Sequence, residues 1–229
     1  PSASTYHGMF AHVHNTGLAY YSHAGAWIPL ANLTGATFSG NVTASAGITI
    51  ADDNNLKFGD GTTYIQGSGA NDRLKFIANN TEHMRVHSAG YVTKPNHPMF
   101  AVHTVPVGFT TSQVVNWQTE ETDRGNNFDM TNNRFVAPVA GFYNFSLFCF
   151  TDRTTSTGDV YWDVRRNGAT FWRHYVGKDG SGNVHVQIQG GTQIQLAAND
   201  YVDVYFTSSI VNSMPSSGVH NRFSGYLIG

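Results

Sequence analysis

Short apolar blocks separated by turn residues run along the whole chain, and helical periodicity is nearly absent. Apolar residues alternate with polar ones or stand in brief runs that Gly, Asn, Asp and Ser bound. Alternation with period two is typical of strands, and turn residues at the boundaries are typical of the loops between them. The sequence therefore predicts an all-β protein.

Composition excludes several partner classes. Of the 229 residues only 12% are charged, whereas a typical soluble domain has about 25%. The net charge is −2, with 13 Lys and Arg residues, so no basic stripe can neutralise phosphates, and we expect neither nucleic acid nor an anionic membrane as partner. No apolar run is long enough for a bilayer span and no leader pattern opens the chain. We expect a soluble protein without membrane insertion, whose single cysteine, Cys149, fills core.

Three regions differ in texture: residues 1–33, 34–94 and 95–229. The first is a small β module rich in His, Tyr and Ala. The second contains the short strand candidates GITI, NLKF, TYIQ, DRLKFIA, HMRV and YVT, each with few apolar residues for a core. Such a region is marginal as a lone domain, so we predict a shaft in which three chains intertwine about one axis. The alternative is a flexible polar linker.

The third region contains enough strand candidates for a two-sheet sandwich. Its segment GFYNFSLFCF is apolar on both faces, and a strand of this kind is covered by a further layer or by another subunit. Phe142, Phe148 and Tyr226 are the candidates for the subunit contact of an obligate parallel homotrimer. Their alternative role is ordinary core of one sandwich.

Four ordered motifs carry a family resemblance: FVAPVAGFYNF at 135–145, RNG at 166–168, LAANDYVDV at 196–204 and FSGYL at 223–227. Together they resemble the globular heads of complement C1q, which are relatives of tumour necrosis factor. The resemblance implies a jelly-roll fold and a trimeric state. It does not imply the complement role, because no Gly-X-Y stalk precedes residue 95. Asn199 stands where the family usually has Gly, and Asn tolerates the same left-handed conformation.

A second resemblance concerns the rest of the chain. Residues 36–93 are similar to shaft segments of bacteriophage tail fibres, and HGMFAHVH with AYYSHAGAW is similar to short modules in virion fibres of cyanophages. The combination implies an extracellular virion protein, joined at its N-terminus to the rest of a tail fibre. Its expected function is attachment to a host-cell surface receptor, either a glycan or an outer-membrane component. The alternatives are a purely structural fibre or decoration protein and a polysaccharide depolymerase.

Converging catalytic groups are not visible in the sequence. The only glutamates are Glu82, Glu120 and Glu121, and most aspartates stand in turn contexts such as DD, GDG and ND. No carboxylate pair has the spacing of a glycosidase, and no nucleophile elbow is present. We therefore predict that the protein is not an enzyme.

The resemblance places both chain ends of the head at its base, so alternate loops of the antiparallel jelly roll reach the far tip. These loops are residues 151–158, 176–183 and 207–219. The receptor-binding candidates in or beside them are Asp152, Arg153, Trp172, Tyr175, Lys178, Asp179, Asn212 and Met214. The rings of Trp172 and Tyr175 could stack on a sugar or pack into the core.

His12 and His14 form an H-x-H motif whose two side chains lie on one face of a strand. Two imidazoles are too few to hold a transition metal firmly, but three chains would supply six nitrogens around a threefold axis. This predicts a structural iron, nickel or cobalt ion, as in phage fibres with similar motifs, and no other cofactor. The alternative is that both histidines contact Tyr20, Tyr21 and nearby backbone.

Overall fold

A computed structural model describes residues 1–15, 17–30, 48–104, 108–109, 112–154, 158–178, 184–209, 212–213 and 220–229. The chain forms two compact units, Pro1–Thr49 and Ile50–Gly229. Strands dominate both units, so the predicted all-β class is confirmed. In the described part of the chain, no helical segment is long and apolar enough to cross a bilayer.

The first unit contains an antiparallel N-terminal sheet of consecutive strands, β1 (Phe10–Val13), β2 (Leu18–His23) and β3 (Ala26–Pro29). Ala24 and Gly25 connect β2 to β3, both with positive φ. Two-residue hairpin loops of this kind match the right-handed twist of the strands they join.

The middle sheet begins the second unit and also follows chain order. Its strands are β4 (Asn55–Phe58), β5 (Thr63–Ser68), β6 (Arg73–Ala78), β7 (Thr81–Val86) and β8 (Val92–Thr93). The predicted strand at GITI is wrong for its described residues. Ile48 and Ile50 are exposed and lie outside any strand, because no described strand pairs with them.

The two faces of the middle sheet differ in chemistry. The register places Leu56, Ile65, Phe76 and Met84 in one row. We call this side the apolar face; it comprises Leu56, Phe58, Ile65, Leu74, Phe76, Met84, Val86 and Val92. The opposite side carries Lys75, Glu82 and Arg85, joined by salt bridges. Half of the Phe58 surface remains exposed, so the described residues of one chain leave this apolar face partly uncovered.

The head consists of two antiparallel sheets. Sheet I has the order β12 (Thr119–Arg124), β9 (Met99–His103), β21 (Arg222–Leu227), β15 (Gly141–Thr154) and β18 (Val184–Leu196). Sheet II has the order β13 (Phe128–Asp129), β14 (Arg134–Val136), β19 (Tyr201–Ser208), β16 (Gly158–Arg166) and β17 (Ala169–Lys178), and β11 (Gln113–Val114) pairs with β19. A small pair joins β10 (Gly108–Phe109) to β20 (Asn212–Ser213). Many neighbouring strands in these sheets are distant in sequence, as in the predicted jelly roll.

Aromatic side chains from both sheets build the core of the head. Phe100, Phe145 and Phe223 of sheet I pack against one another, and Phe100 stacks on Phe135 of sheet II at 5.0 Å between ring centres. Cys149 is buried in this core, as predicted, and burial raises the pKa of its thiol. A core of large interlocking aromatic groups fixes both sheets, so their outer faces are rigid surfaces.

Candidate ligand-binding surface

The outer face of sheet II carries an ordered set of polar and aromatic side chains. Along β16, Val160, Trp162 and Val164 point into the core. Because side chains alternate along a strand, the intervening residues point away from the core. The outward residues of β16, β17 and β19 that we call the tyrosine–arginine surface are Asp159, Tyr161, Asp163, Arg165, Arg173, Tyr175, Asp203 and Tyr205.

Arg173 is fixed on the edge strand of this surface, β17. Its Nε and Nη2 donate hydrogen bonds of 2.6 Å to the two carboxylate oxygens of Asp163, and Thr170 donates a third at 2.9 Å. The Asp163 side chain is 3% exposed, whereas that of Arg173 is 50% exposed. The hydrogen bond to Asp163 raises the pKa of Arg173. A cation held this firmly presents its remaining N–H donors to solvent in a fixed geometry.

Two tyrosines extend the surface beside Arg173. The rings of Tyr161 and Tyr175 lie 5.1 Å apart between centres, and the Arg173 guanidinium lies 4.9 Å from the centre of the Tyr161 ring. The Tyr175 hydroxyl donates to Asp159 Oδ1 at 2.9 Å, and that bond raises the pKa of Tyr175. Because 55% of Tyr175 is exposed, its ring is an oriented apolar platform in contact with water.

A second ion pair continues the surface toward the centre of the sheet. Arg165 donates two hydrogen bonds of 2.7 Å to the Asp203 carboxylate. Its guanidinium also lies 4.1 Å from the centre of the Tyr205 ring. The hydrogen bond to Asp203 raises the pKa of Arg165. This pair repeats the arrangement of Arg173 with Asp163 and Tyr161 one step further across the sheet.

The chemistry of the tyrosine–arginine surface suits an uncharged ligand with many hydroxyl groups. Its three aspartates outnumber its two arginines, so it does not attract polyanions strongly. Guanidinium N–H groups donate to sugar hydroxyls and carboxylate oxygens accept from them. An exposed tyrosine ring covers the apolar C–H face of a sugar. The sequence analysis found only Tyr175 here; the alternation of polar residues in DVYWDVRR was the available signal for the others.

The structure separates the two aromatic candidates of the sequence analysis. Tyr175 is on the outer face, whereas Trp172, three residues earlier, is half-buried and packs against the core. A Cβ atom at Gly190 would lie 2.5 Å from the Trp172 ring, so this glycine makes room for the indole. Trp172 therefore takes the core role that the sequence left open for it.

The other tip candidates are strand residues or lie outside the described residues. Asp152 and Arg153 belong to β15, Lys178 to β17 and Asn212 to β20. The predicted loops 151–158, 176–183 and 207–219 therefore all begin too early, because strand pairing continues to Thr154 in β15, while β17 continues to Lys178 and β19 to Ser208. Asp179 and Met214 lie outside the described residues. A receptor-binding role for these six residues stays a prediction.

Phe142, Phe148 and Tyr226 lie on the outer face of sheet I. Phe142 and Tyr226 are about half exposed, and Phe148 is half-buried. None of the three belongs to the core cluster of the described residues, so the alternative of ordinary core does not hold. Their role as subunit contacts stays a prediction.

His12 and His14 are both exposed on or directly after β1, with ring centres 5.3 Å apart. In the described residues of one chain, no group of three or more His, Cys, Asp or Glu side chains is arranged to hold a metal ion. The octahedral site predicted for these histidines draws its ligands from three chains, so it stays a prediction.

Comparison with known proteins identifies the head. The sequence model of the C1q domain matches residues 99–228. The chain belongs to the C1q domain family. Among solved structures, the globular domain of zebrafish complement 1qA protein is similar, with 18% identity and a TM-score of 0.44, covering 58% of this chain and 98% of that one. No curated protein sequence matches the chain.

Membership of the C1q domain family has two consequences for the head. Domains of this family typically form homotrimers and bind ligands. The family is one of binding and structural domains without enzymatic activity. Exposed side chains on the outer faces of the two sheets are therefore the first places to look for subunit and ligand contacts.

Proposed function

We propose that this chain is the homotrimeric tip of a bacteriophage tail fibre, which binds a host-cell surface glycan without cleaving it. The observation that supports this proposal most directly is the tyrosine–arginine surface on sheet II. Its exposed Tyr175 ring and its Arg173 guanidinium are both held by buried or half-buried carboxylates. Binding then costs little side-chain entropy, because the ligand meets side chains that are already ordered.

Two uncovered apolar areas support the trimeric state. One is the outer face of sheet I around Phe142 and Tyr226, which are each about half exposed. The other is the apolar face of the middle sheet. Apolar areas of this kind on soluble proteins mark contacts with other subunits. A parallel trimer would cover both areas and would leave sheet II directed outward, toward a receptor.

Binding to bacterial surface polysaccharides tests this proposal. Lipopolysaccharide and capsular polysaccharide purified from a panel of cyanobacterial strains are immobilised, and binding of the chain is measured by biolayer interferometry. Replacing Tyr175 and Arg173 together by Ala removes a ring and a charged donor, and we expect affinity to fall by at least about tenfold. The matched control is Phe171→Ala, which truncates an exposed aromatic side chain of the same strand.

Three results would contradict the proposal. Unchanged binding by the folded double variant would exclude the tyrosine–arginine surface and would favour the predicted tip loops. Failure to bind any polysaccharide of the panel would favour a purely structural fibre protein. Release of reducing ends from a bound polysaccharide would show a depolymerase.

A further inference from the structure

The first unit contains a second histidine pair, which the sequence does not make evident. His7 precedes β1 and His23 ends β2, yet His7 Nε2 and His23 Nδ1 lie 3.2 Å apart. Both side chains are exposed. We propose that these two nitrogens form a binding site for one divalent transition-metal ion of the zinc or copper class, with one site in each chain.

The backbone around Ser22 holds the two histidines together. Ser22 is fully buried, and its hydroxyl donates to the Tyr6 carbonyl while accepting from the Met9 N–H at 3.0 Å. The Gly8 N–H also donates to the Ser22 carbonyl at 2.8 Å. These bonds attach the residues on both sides of His7 to the strand residue that precedes His23. These hydrogen bonds therefore position the backbone at both histidines.

The geometry of the rings matches shared coordination. Two imidazoles bound to one ion at about 2.05 Å, with an angle of about 103° at the metal, have nitrogens about 3.2 Å apart and ring centres about 5.0 Å apart. The observed separations are 3.2 Å and 5.1 Å. A straight N–H···N hydrogen bond of the same length would hold the ring centres about 5.5 Å apart. The observed separation of the ring centres is thus shorter than that of a straight hydrogen bond and close to that of two imidazoles on one ion.

The surroundings favour binding of a cation by neutral ligands. Residues 1–49 contain no Asp, Glu, Lys or Arg, so no positive side chain of this unit opposes a metal ion. Imidazole nitrogen is a good ligand for zinc, copper and nickel, and affinity is highest for Cu²⁺. The exposure of both rings leaves the remaining coordination positions to water. The bound ion would connect the segment before β1 to the β2–β3 hairpin, and this would stabilise a unit with little apolar core.

Titration of the full chain with Cu²⁺, followed by calorimetry and pulsed electron paramagnetic resonance, tests this inference. We expect one ion per chain with two coordinated imidazoles. His7→Gln and His23→Gln retain hydrogen-bonding capacity but remove a ligand, and each should weaken binding at least about tenfold. The control variant, in which His12 and His14 are both Gln, should bind the ion unchanged.

Two results would overturn the inference. One is a wild-type chain in which Cu²⁺ has fewer than two imidazole ligands or is retained fully by His7→Gln. The other is one ion per three chains, lost only when His12 and His14 are replaced, which would support the threefold site instead. Circular dichroism of each variant establishes that the β structure is intact. Ser22→Ala should also weaken uptake, because it removes two of the bonds that position His7 without removing a ligand.

Discussion

The head and the middle sheet are built from similar antiparallel strands, but they treat their apolar side chains differently. Sheets I and II enclose a core in which Phe145, Trp162 and Phe223 are almost completely buried. Within the described residues of one chain, no second layer covers the apolar face of the middle sheet, so Leu56 and Phe58 remain about half exposed. The head therefore encloses a core of its own, whereas the middle sheet is where we expect other copies to cover an apolar face.

Truncation of a core side chain in the head should produce the largest loss of stability. Trp162 is fully buried and packs edge-on against Phe206 at 4.8 Å between ring centres. Trp162→Ala removes that contact and leaves a cavity, so the free energy of unfolding of the head should fall by about 3–5 kcal/mol. Denaturant unfolding followed by tryptophan fluorescence measures it. The exposed Phe171→Ala should cost less than about 1 kcal/mol, and equal losses for the two variants would contradict the assignment of the core.

Polar substitution on the middle sheet should change assembly rather than the fold of the head. With Leu56 and Phe58 both replaced by Ser, the trimer loses apolar area, and each side chain contributes about 1 kcal/mol or more when its exposed half becomes buried. Sedimentation velocity should therefore show that the variant dissociates at a higher protein concentration than the wild type. Lys57→Ser, on the opposite face of the same strand, is the matched control. A wild-type chain that sediments as a folded monomer would contradict the expectation that other copies cover the middle sheet.

The sequence predicted the strands whose apolar residues alternate clearly, and it was wrong or silent where tertiary contacts decide. The jelly-roll head follows from FVAPVAGFYNF and the motifs after it, and Asn199 has the expected left-handed conformation, with φ of 70°. Strand β12 was not predicted, because TEETDR has no apolar residue and is a strand only through its pairing with β9. GITI has the apolar pattern of a strand, but its described residues have no partner.

The candidate sites show the same limit of sequence reasoning. Alternation could place Tyr175 and Trp172 on opposite faces, but it could not tell which face is the core. The ion pairs of the tyrosine–arginine surface join residues as far apart as Arg165 and Asp203, and strand register brings them together. Similarly, His7 and His23 are 16 residues apart, whereas the more conspicuous His12 and His14 share one segment. Short motifs were visible in the sequence, but pairs of side chains that only the folded chain brings together were not.

Acid should loosen the middle sheet by a smaller amount, through Glu82 on its polar face. The Arg85 guanidinium donates a 2.6 Å hydrogen bond to Glu82, which lowers the pKa of that carboxyl from its ordinary 4.5. A lowered folded-state pKa means that this stabilisation is complete above about pH 5 and is lost as the pH falls through the folded-state value. The expected loss of stability is about 0.2–1 kcal/mol. It should appear as faster amide hydrogen exchange in residues 73–86 at pH 3.5 than at pH 6, after correction for the intrinsic exchange rate.

The Glu82→Gln variant should exchange at the faster level at both pH values, because it cannot form the charged pair. An equal change with pH in that variant would place the acid sensitivity elsewhere, for instance at Glu121, whose pKa is lowered by its hydrogen bond with Arg222 in the head.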